Sequence, residues 1–121
     1  MKVLKSGVLS DFLGAEGGKF KGGKYVKKFE EDVCNYFQVK NAISVNSWTS
    51  GLICAVGSID LEPGDEIITT PWTMCATATS IIHWNAIPVF ADIDPNTFCI
   101  SPESIKSCLS ERTKAVICVD I

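Results

Sequence analysis

Ser47, Thr49, Ser50 and Gly51 stand between an apolar run, Ala42-Ile43-Ser44-Val45, and a segment that carries Leu52, Ile53, Val56 and Ile59 on one helical face. Hydroxyl groups and a glycine where a strand passes into a helix are suited to holding an anion. The first N–H groups of a helix have no internal partner, and the helix dipole favours negative charge there. The hydroxyls add donors, and Gly51 removes a side chain where a ligand would approach. The chemistry this pattern offers is phosphate binding. A plainer use is open to the same residues: Thr49 or Ser47 can cap the helix.

Other chemistry-bearing residues are less organised. Cys34, Cys54, Cys75, Cys99, Cys108 and Cys118 are scattered with no C-x-x-C pair, which argues against a disulfide framework or a zinc site. Their apolar neighbours predict buried free thiols in a reducing compartment. His83 is the single histidine. It follows Ile81-Ile82 near an expected helix end, where it packs or caps, and neither a metal site nor a Ser-His-Asp triad can be built on it alone. Lys19, Lys21, Lys24, Lys27 and Lys28 form a basic cluster. It reads as a solvated face and loop, or as an electrostatic lip for a phosphorylated substrate.

These residues need a frame. Residues 14–24 are rich in Gly and Lys and read as a loop, with room for a short helix before it. Val26, Phe29, Val33 and Phe37 then recur at helical spacing, opposite Glu30, Glu31 and Asp32. Strands are expected at 42–46, 66–70, 87–91 and 114–120. Glu62-Pro63-Gly64-Asp65 is a turn signal. Pro71 stops the second strand, and Thr73 is placed to cap a helix through about Trp84. Ser101-Pro102-Glu103 is a strong helix start. Strands that alternate with helices imply βαβ units, hence an α/β fold of three layers, α-β-α, around a mainly parallel sheet. The strands are near-continuous apolar runs, as expected where both sheet faces are covered. Ligands bind such sheets beyond the strands' carboxyl ends. That edge collects Ser47–Gly51, Pro71–Cys75, Asp92–Asp94 and Asp120. The last strand reaches Ile121 with no crossover after it, so the chain reads as the front part of a larger domain.

Bulk properties narrow the function. A chain of 121 residues fits one small domain. Its net charge of −3 gives no electrostatic case for nucleic acid. No apolar run approaches a membrane span, and residues 1–13 lack the apolar core of a signal peptide. The expected setting is cytoplasmic.

Several runs together carry a resemblance: Gly22–Glu31, Ala42–Leu52, Pro63–Pro71, Ala76-Thr77, Ile87–Asp94 and Arg112–Val116. In this order they resemble the DegT/DnrJ/StrS sugar aminotransferases, pyridoxal-phosphate enzymes of the aspartate aminotransferase fold. The resemblance covers nearly the whole chain and implies a single partial domain over residues 1–121, the N-terminal portion of the cofactor-binding large domain. It implies pyridoxal phosphate as cofactor, a keto-sugar nucleotide as acceptor, an amino-acid donor, commonly glutamate, and a homodimer. It places the cofactor phosphate at Ser47, at the backbone of Trp48 and Thr49 and at the Thr49 hydroxyl, with Trp48 standing where the family has a small residue. The family sets an aromatic against the pyridoxal ring. Here Met74 aligns with that position, and Trp72 is the other candidate for the ring face. The lysine that forms the Schiff base and the acid that faces the ring nitrogen lie beyond this chain's end in the family. The resemblance therefore assigns no catalytic residue here, and residues 1–121 alone are expected to be inactive. A rival reading is a non-catalytic, flavodoxin-like binding domain, because Ser47–Gly51 is loosely similar to a flavodoxin phosphate loop.

Overall fold

The computed structural model describes all residues, 1–121. The chain forms two compact units, Met1–Val45 and Asn46–Ile121.

The first unit holds α1 (Lys2–Ser6), a loop, and α2 (Lys24–Phe37). The loop is tied by an ion pair between Lys19 Nζ and Asp11 at 2.8 Å. Gly23 sits so close to Asp11 that an added Cβ would lie 2.4 Å from the Asp11 Cβ. In α2 the expected stripe Val26, Phe29, Val33, Phe37 forms, yet no residue of the helix is buried. The helix stops at Gln38, which is left-handed (φ 54°) and returns its N–H to Cys34 O.

Residues 42–45 are a correction to the expected strand: they pair with no strand. A strand is stable only when a neighbour satisfies its backbone groups. Here the N–H and hydroxyl of Ser44 both donate to the Glu30 carboxylate at 2.8 Å, and Ile43 is 84% exposed. Those two donors hold the Glu30 carboxyl below its usual range.

The second unit is built on β1 (Glu66–Thr69), β2 (Ile87–Phe90) and β3 (Thr113–Val116), in spatial order β2-β1-β3. Both pairings are parallel, with Ile68 opposite Val89 on one side and Val116 on the other. Crossovers through α4 (Cys75–Ile82) and α5 (Pro102–Cys108) connect the strands. The α/β class with a parallel sheet is therefore present. α4 packs on β1 and β2, and α3 (Trp48–Gly57) packs on α4. Val56, Ile67, Ile81 and Ala86 form the core, with Leu61, Ala115 and Ile117 against it. Ile67, Ile68 and Ile81 are fully buried, each stabilising the fold by ~1.5–3 kcal/mol.

Three sequence expectations change here. Only β1 is buried along its whole length, while β2 and β3 are the sheet's edges and are partly open. The strands are shorter than expected, although Ala91 N–H to Thr69 O and Ile117 N–H to Ile68 O, both 2.8 Å, carry the ladder one residue further. The cysteines are unbridged as expected but not buried: three are exposed and three intermediate. Cys108 is half-buried, with its thiol on Phe90 O of β2, while Cys54, Cys75 and Cys118 are exposed.

The carboxylate of Glu66 sits at the amino end of β1, 5% exposed. It accepts the Ser110 hydroxyl at 2.6 Å and Arg112 Nη2 at 2.5 Å. Those bonds, Ser110's foremost, hold its carboxyl below the usual range. This cluster ties the start of β1 to the approach to β3, at the end of the sheet away from the expected ligand edge.

Candidate functional site at the carboxyl edge of the sheet

Ser47 caps α3. Its φ and ψ are extended, and its hydroxyl accepts the Ser50 N–H at 3.1 Å. Ser50 Oγ donates to Asn46 Oδ1 at 2.7 Å and lies 3.0 Å from Ser47 Oγ. Of the two cap candidates in the sequence, Ser47 is the cap. Capping and anion binding are compatible here, because the cap removes only one donor. Gly51 N–H bonds to Ser47 O. The N–H groups of Trp48 and Thr49, at the first two helical positions, have no intrahelical acceptor. The Thr49 hydroxyl makes no hydrogen bond within the chain, and Trp48 is 75% exposed. Two free N–H groups, a free hydroxyl and the positive end of a helix form a donor set that fits a phosphate.

Trp84 orients this helix. It lies just past α4, its Nε1–H donates to Ile53 O at 2.8 Å, and its ring covers Gly57 so closely that a Cβ there would be 2.2 Å away. Two helices that meet at their C-terminal ends and pack along their length run side by side in the same sense. The first turn of α3 therefore lies at the end of the layer where α4 begins, which is the carboxyl edge of β1.

Along that edge Thr69 Oγ1 donates to Ile117 O at 3.1 Å, and Trp72 N–H donates to Thr70 Oγ1 at 3.1 Å. The strand order adds a second pointer. The chain leaves β1 for β2 on one side and returns to β3 on the other, and α/β sheets bind ligands at such a reversal. Thr73, expected to cap α4, does not: Met74 holds the cap position without a side-chain bond, and Thr73 Oγ1 pairs with Thr77 Oγ1 at 2.8 Å. Met74 is 65% exposed. The Trp72 ring lies 5.9 Å from that of Phe98, centroid to centroid. Phe98 was not singled out in the sequence; the Asp-Pro-Asn loop before it signals a turn but not which side chain the turn presents. No side-chain hydrogen bond links Ser47–Gly51 to Trp72 or Met74.

The lysines of the basic cluster are all exposed, and four of them engage local partners. Lys19 is paired with Asp11 and Lys28 with Asp32. Lys27 donates to Gly18 O, and Lys24 lies over the Tyr25 ring. His83 closes α4 with its N–H on Thr79 O and packs edge-on against Trp84. No three His, Cys, Asp or Glu side chains gather as metal ligands, and no helix is long and apolar enough to cross a membrane.

The sequence matches the profile of the DegT/DnrJ/EryC1/StrS aminotransferase family over residues 13–121. It is 43% identical over 102 residues to the spore coat polysaccharide biosynthesis protein SpsC of Bacillus subtilis, covering 84% of this chain and 26% of that one. It is 31% identical over 104 residues to the 3-oxo-glucose-6-phosphate:glutamate aminotransferase of the same organism, covering 86% and 24%. The fold matches the putative sugar aminotransferase Spr1654 from Streptococcus pneumoniae, solved in a PMP-form and a PLP-form. The TM-scores are 0.76 and 0.74, at 30% identity, over 79% and 78% of this chain and 24% of that one. The chain spans about a quarter of the length of these relatives. These matches displace the flavodoxin-like alternative. The chain belongs to the DegT/DnrJ/EryC1/StrS aminotransferase family.

Proposed function

We propose that residues 1–121 are the N-terminal portion of the large domain of a pyridoxal-phosphate aminotransferase that moves an amino group from an amino acid to a keto sugar carried on a nucleotide. The carrying observation is the start of α3, where the N–H groups of Trp48 and Thr49 and the Thr49 hydroxyl are left without partners beside the Ser47 cap. When bound, the cofactor supplies an electron sink for the carbon that loses or gains the amino group. This chain's own part is to hold and orient. Ser47 fixes the first turn so that the two N–H groups converge, and the Thr49 hydroxyl adds a third donor to the phosphate. Met74, unpaired and exposed, packs on the ring face through its polarizable sulfur. Trp72 is the weaker candidate for that face because its ring is already paired with Phe98.

The lysine that carries the cofactor and moves the proton, and the acid at the ring nitrogen, come from outside residues 1–121. The second unit has two lysines, Lys106 and Lys114. Lys114 points to Asp65 at 3.7 Å, at the amino end of β1, and Lys106 lies in the last turn of α5. Residues 1–121 alone are therefore inactive in this reading, and the whole enzyme is a homodimer. Glutamate is the favoured donor, since the 3-oxo-glucose-6-phosphate:glutamate aminotransferase carries it in its name. The same name supports a second reading of the acceptor, a free sugar phosphate in place of a nucleotide sugar. Six unbridged thiols support a reducing, cytoplasmic setting.

The test is made on the protein as its gene encodes it. Bound pyridoxal phosphate is followed by absorbance, and glutamate alone should convert it to the pyridoxamine form. Thr49→Val should weaken cofactor binding at least tenfold, as expected for losing a hydrogen bond to a charged group. Unchanged cofactor affinity in Thr49→Val would reject the phosphate assignment, and no spectral response to any amino acid would reject the aminotransferase reading.

A further inference from the structure

We propose that Asn46 and Ser50 are positioning residues of the cofactor-phosphate site, which fix the direction of the Ser47 hydroxyl and through it the first turn of α3. This rests on the phosphate reading above and adds to it two residues outside the donor set.

Three side chains and one backbone N–H form a chain of hydrogen bonds at the start of α3. Ser50 N–H donates to Ser47 Oγ at 3.1 Å, Ser47 Oγ lies 3.0 Å from Ser50 Oγ, and Ser50 Oγ lies 2.7 Å from Asn46 Oδ1. Chemistry assigns the protons. An amide oxygen carries none, so Ser50 must donate to Asn46. A hydroxyl has only one, so Ser50 has none left for Ser47. Ser47 must therefore donate to Ser50 Oγ. The Ser47 hydroxyl thus accepts from the backbone of Ser50 and donates to its side chain.

Two consequences follow for the phosphate. The Ser47 proton is turned into the turn itself and is not offered to a ligand, so Ser47 serves the phosphate through the backbone it caps. The donors are the N–H groups of Trp48 and Thr49 and the Thr49 hydroxyl. The direction of the cap also depends on Asn46. A serine side chain has three staggered positions, and a single accepted bond leaves its hydroxyl proton free to turn. The bond to Ser50 Oγ fixes that proton, Asn46 fixes Ser50, and hydrogen bonds linked in this way strengthen one another. All of these bonds are internal to residues 46–50, so they do not depend on which surface of the chain is open.

The test uses the protein as its gene encodes it and compares pyridoxal phosphate with pyridoxal, which lacks the phosphate. Binding of both is followed by absorbance. A general effect on the fold weakens both ligands, whereas a loss that acts through the phosphate falls on pyridoxal phosphate alone. Ser50→Ala keeps the backbone N–H that Ser47 caps and places a good helix former in the first turn, so the fold is retained. Asn46→Ala and Ser50→Ala should each weaken pyridoxal phosphate about three- to tenfold, the size of one hydrogen bond, and leave pyridoxal unchanged. The double variant should bind no more weakly than the weaker single one, because either change opens the same chain. Ser50→Thr, which keeps the hydroxyl, should restore binding. Unchanged affinity for pyridoxal phosphate in either single variant overturns the proposal, as do equal losses for the two ligands or losses that add in the double variant. Thr49→Val separates the levels. A loss there, with Asn46→Ala and Ser50→Ala unchanged, rejects the positioning role alone, and no loss there rejects the phosphate reading beneath it.

Discussion

Gly57→Ala should destabilise the protein, against the usual direction of a glycine-to-alanine change in a helix. In a helix interior that change is worth up to ~1 kcal/mol in favour of alanine. Here the new Cβ would meet Trp84 Cζ2 at 2.2 Å, Cε2 at 2.5 Å and Cη2 at 2.9 Å. The indole cannot simply swing aside, because Nε1–H is bonded to Ile53 O at 2.8 Å. Overpacking of this kind costs ~1–3 kcal/mol, and giving up the indole bond adds ~1 kcal/mol. Gly57 is the last helical residue, so alanine recovers less than the full interior gain. The net expectation is a loss of roughly 2 kcal/mol. Urea unfolding followed by tryptophan fluorescence measures it. The decisive control is Trp84→Leu, in which the clash is gone and Gly57→Ala should be neutral or mildly stabilising. If Gly57→Ala costs the same with and without Trp84, the close packing of α3 on Trp84 is not what the glycine serves, and the orientation of α3 derived from it falls too.

Ser47→Ala and Ser101→Ala each remove a hydroxyl that caps a helix. Each should cost ~1 kcal/mol in urea unfolding, and only Ser47→Ala should also weaken cofactor binding. Glu66→Gln should flatten the acid side of the stability profile. The folded-state pKa of Glu66 is lowered by Ser110 and then Arg112, so its contribution is complete above the unfolded value of about 4.3 and is lost as pH falls through the lower folded value. Urea midpoints from pH 3 to 6 test this, and an equal slope in the variant would refute it. Asp94→Asn should act in the same sense, because the Asn96 and Thr97 N–H groups lower its carboxyl. If Met74 packs on the cofactor ring as proposed, Met74→Phe should retain cofactor binding, whereas Met74→Asp should abolish it.

Much of this architecture was legible because local rules and packing agree. Pro102 after Ser101 forms the start of α5 as read, and Glu66–Thr69 is a strand because Ile67 and Ile68 fill the core between two neighbours. Ser47 reads from sequence as a cap, and its hydroxyl does cap α3 on the Ser50 N–H. The strand expected at 42–46 has the right composition, but composition does not supply a neighbour, and Ser44 turns to Glu30 instead. Thr73 has the right chemistry for a cap and spends it on Thr77. The cysteines were read from their sequence neighbours, while burial depends on which faces are covered. Phe98 was invisible for a similar reason: its ring is placed by a left-handed φ and by a hydrogen-bonded loop, and neither leaves a periodic trace.

The strand order has a consequence for how the chain finds its fold. Glu66 pairs with Ile87 on one side and with Thr113 on the other. The β1–β2 contact closes the shorter loop and can form as soon as α4 is in place, whereas β3 must wait for the far longer excursion through α5. Loop-closure entropy makes the longer closure the costlier one, and parallel pairings of this kind are slow. Until β3 arrives, one edge of Glu66-Ile67-Ile68-Thr69 is an open row of backbone donors and acceptors flanked by β-branched side chains, the features that invite pairing with another chain. The Ser110 and Arg112 contacts to Glu66 hold the segment just before β3 against the start of β1, where they would favour arrival of that strand. Weakening them should raise aggregation during refolding beyond what the loss of equilibrium stability alone would produce.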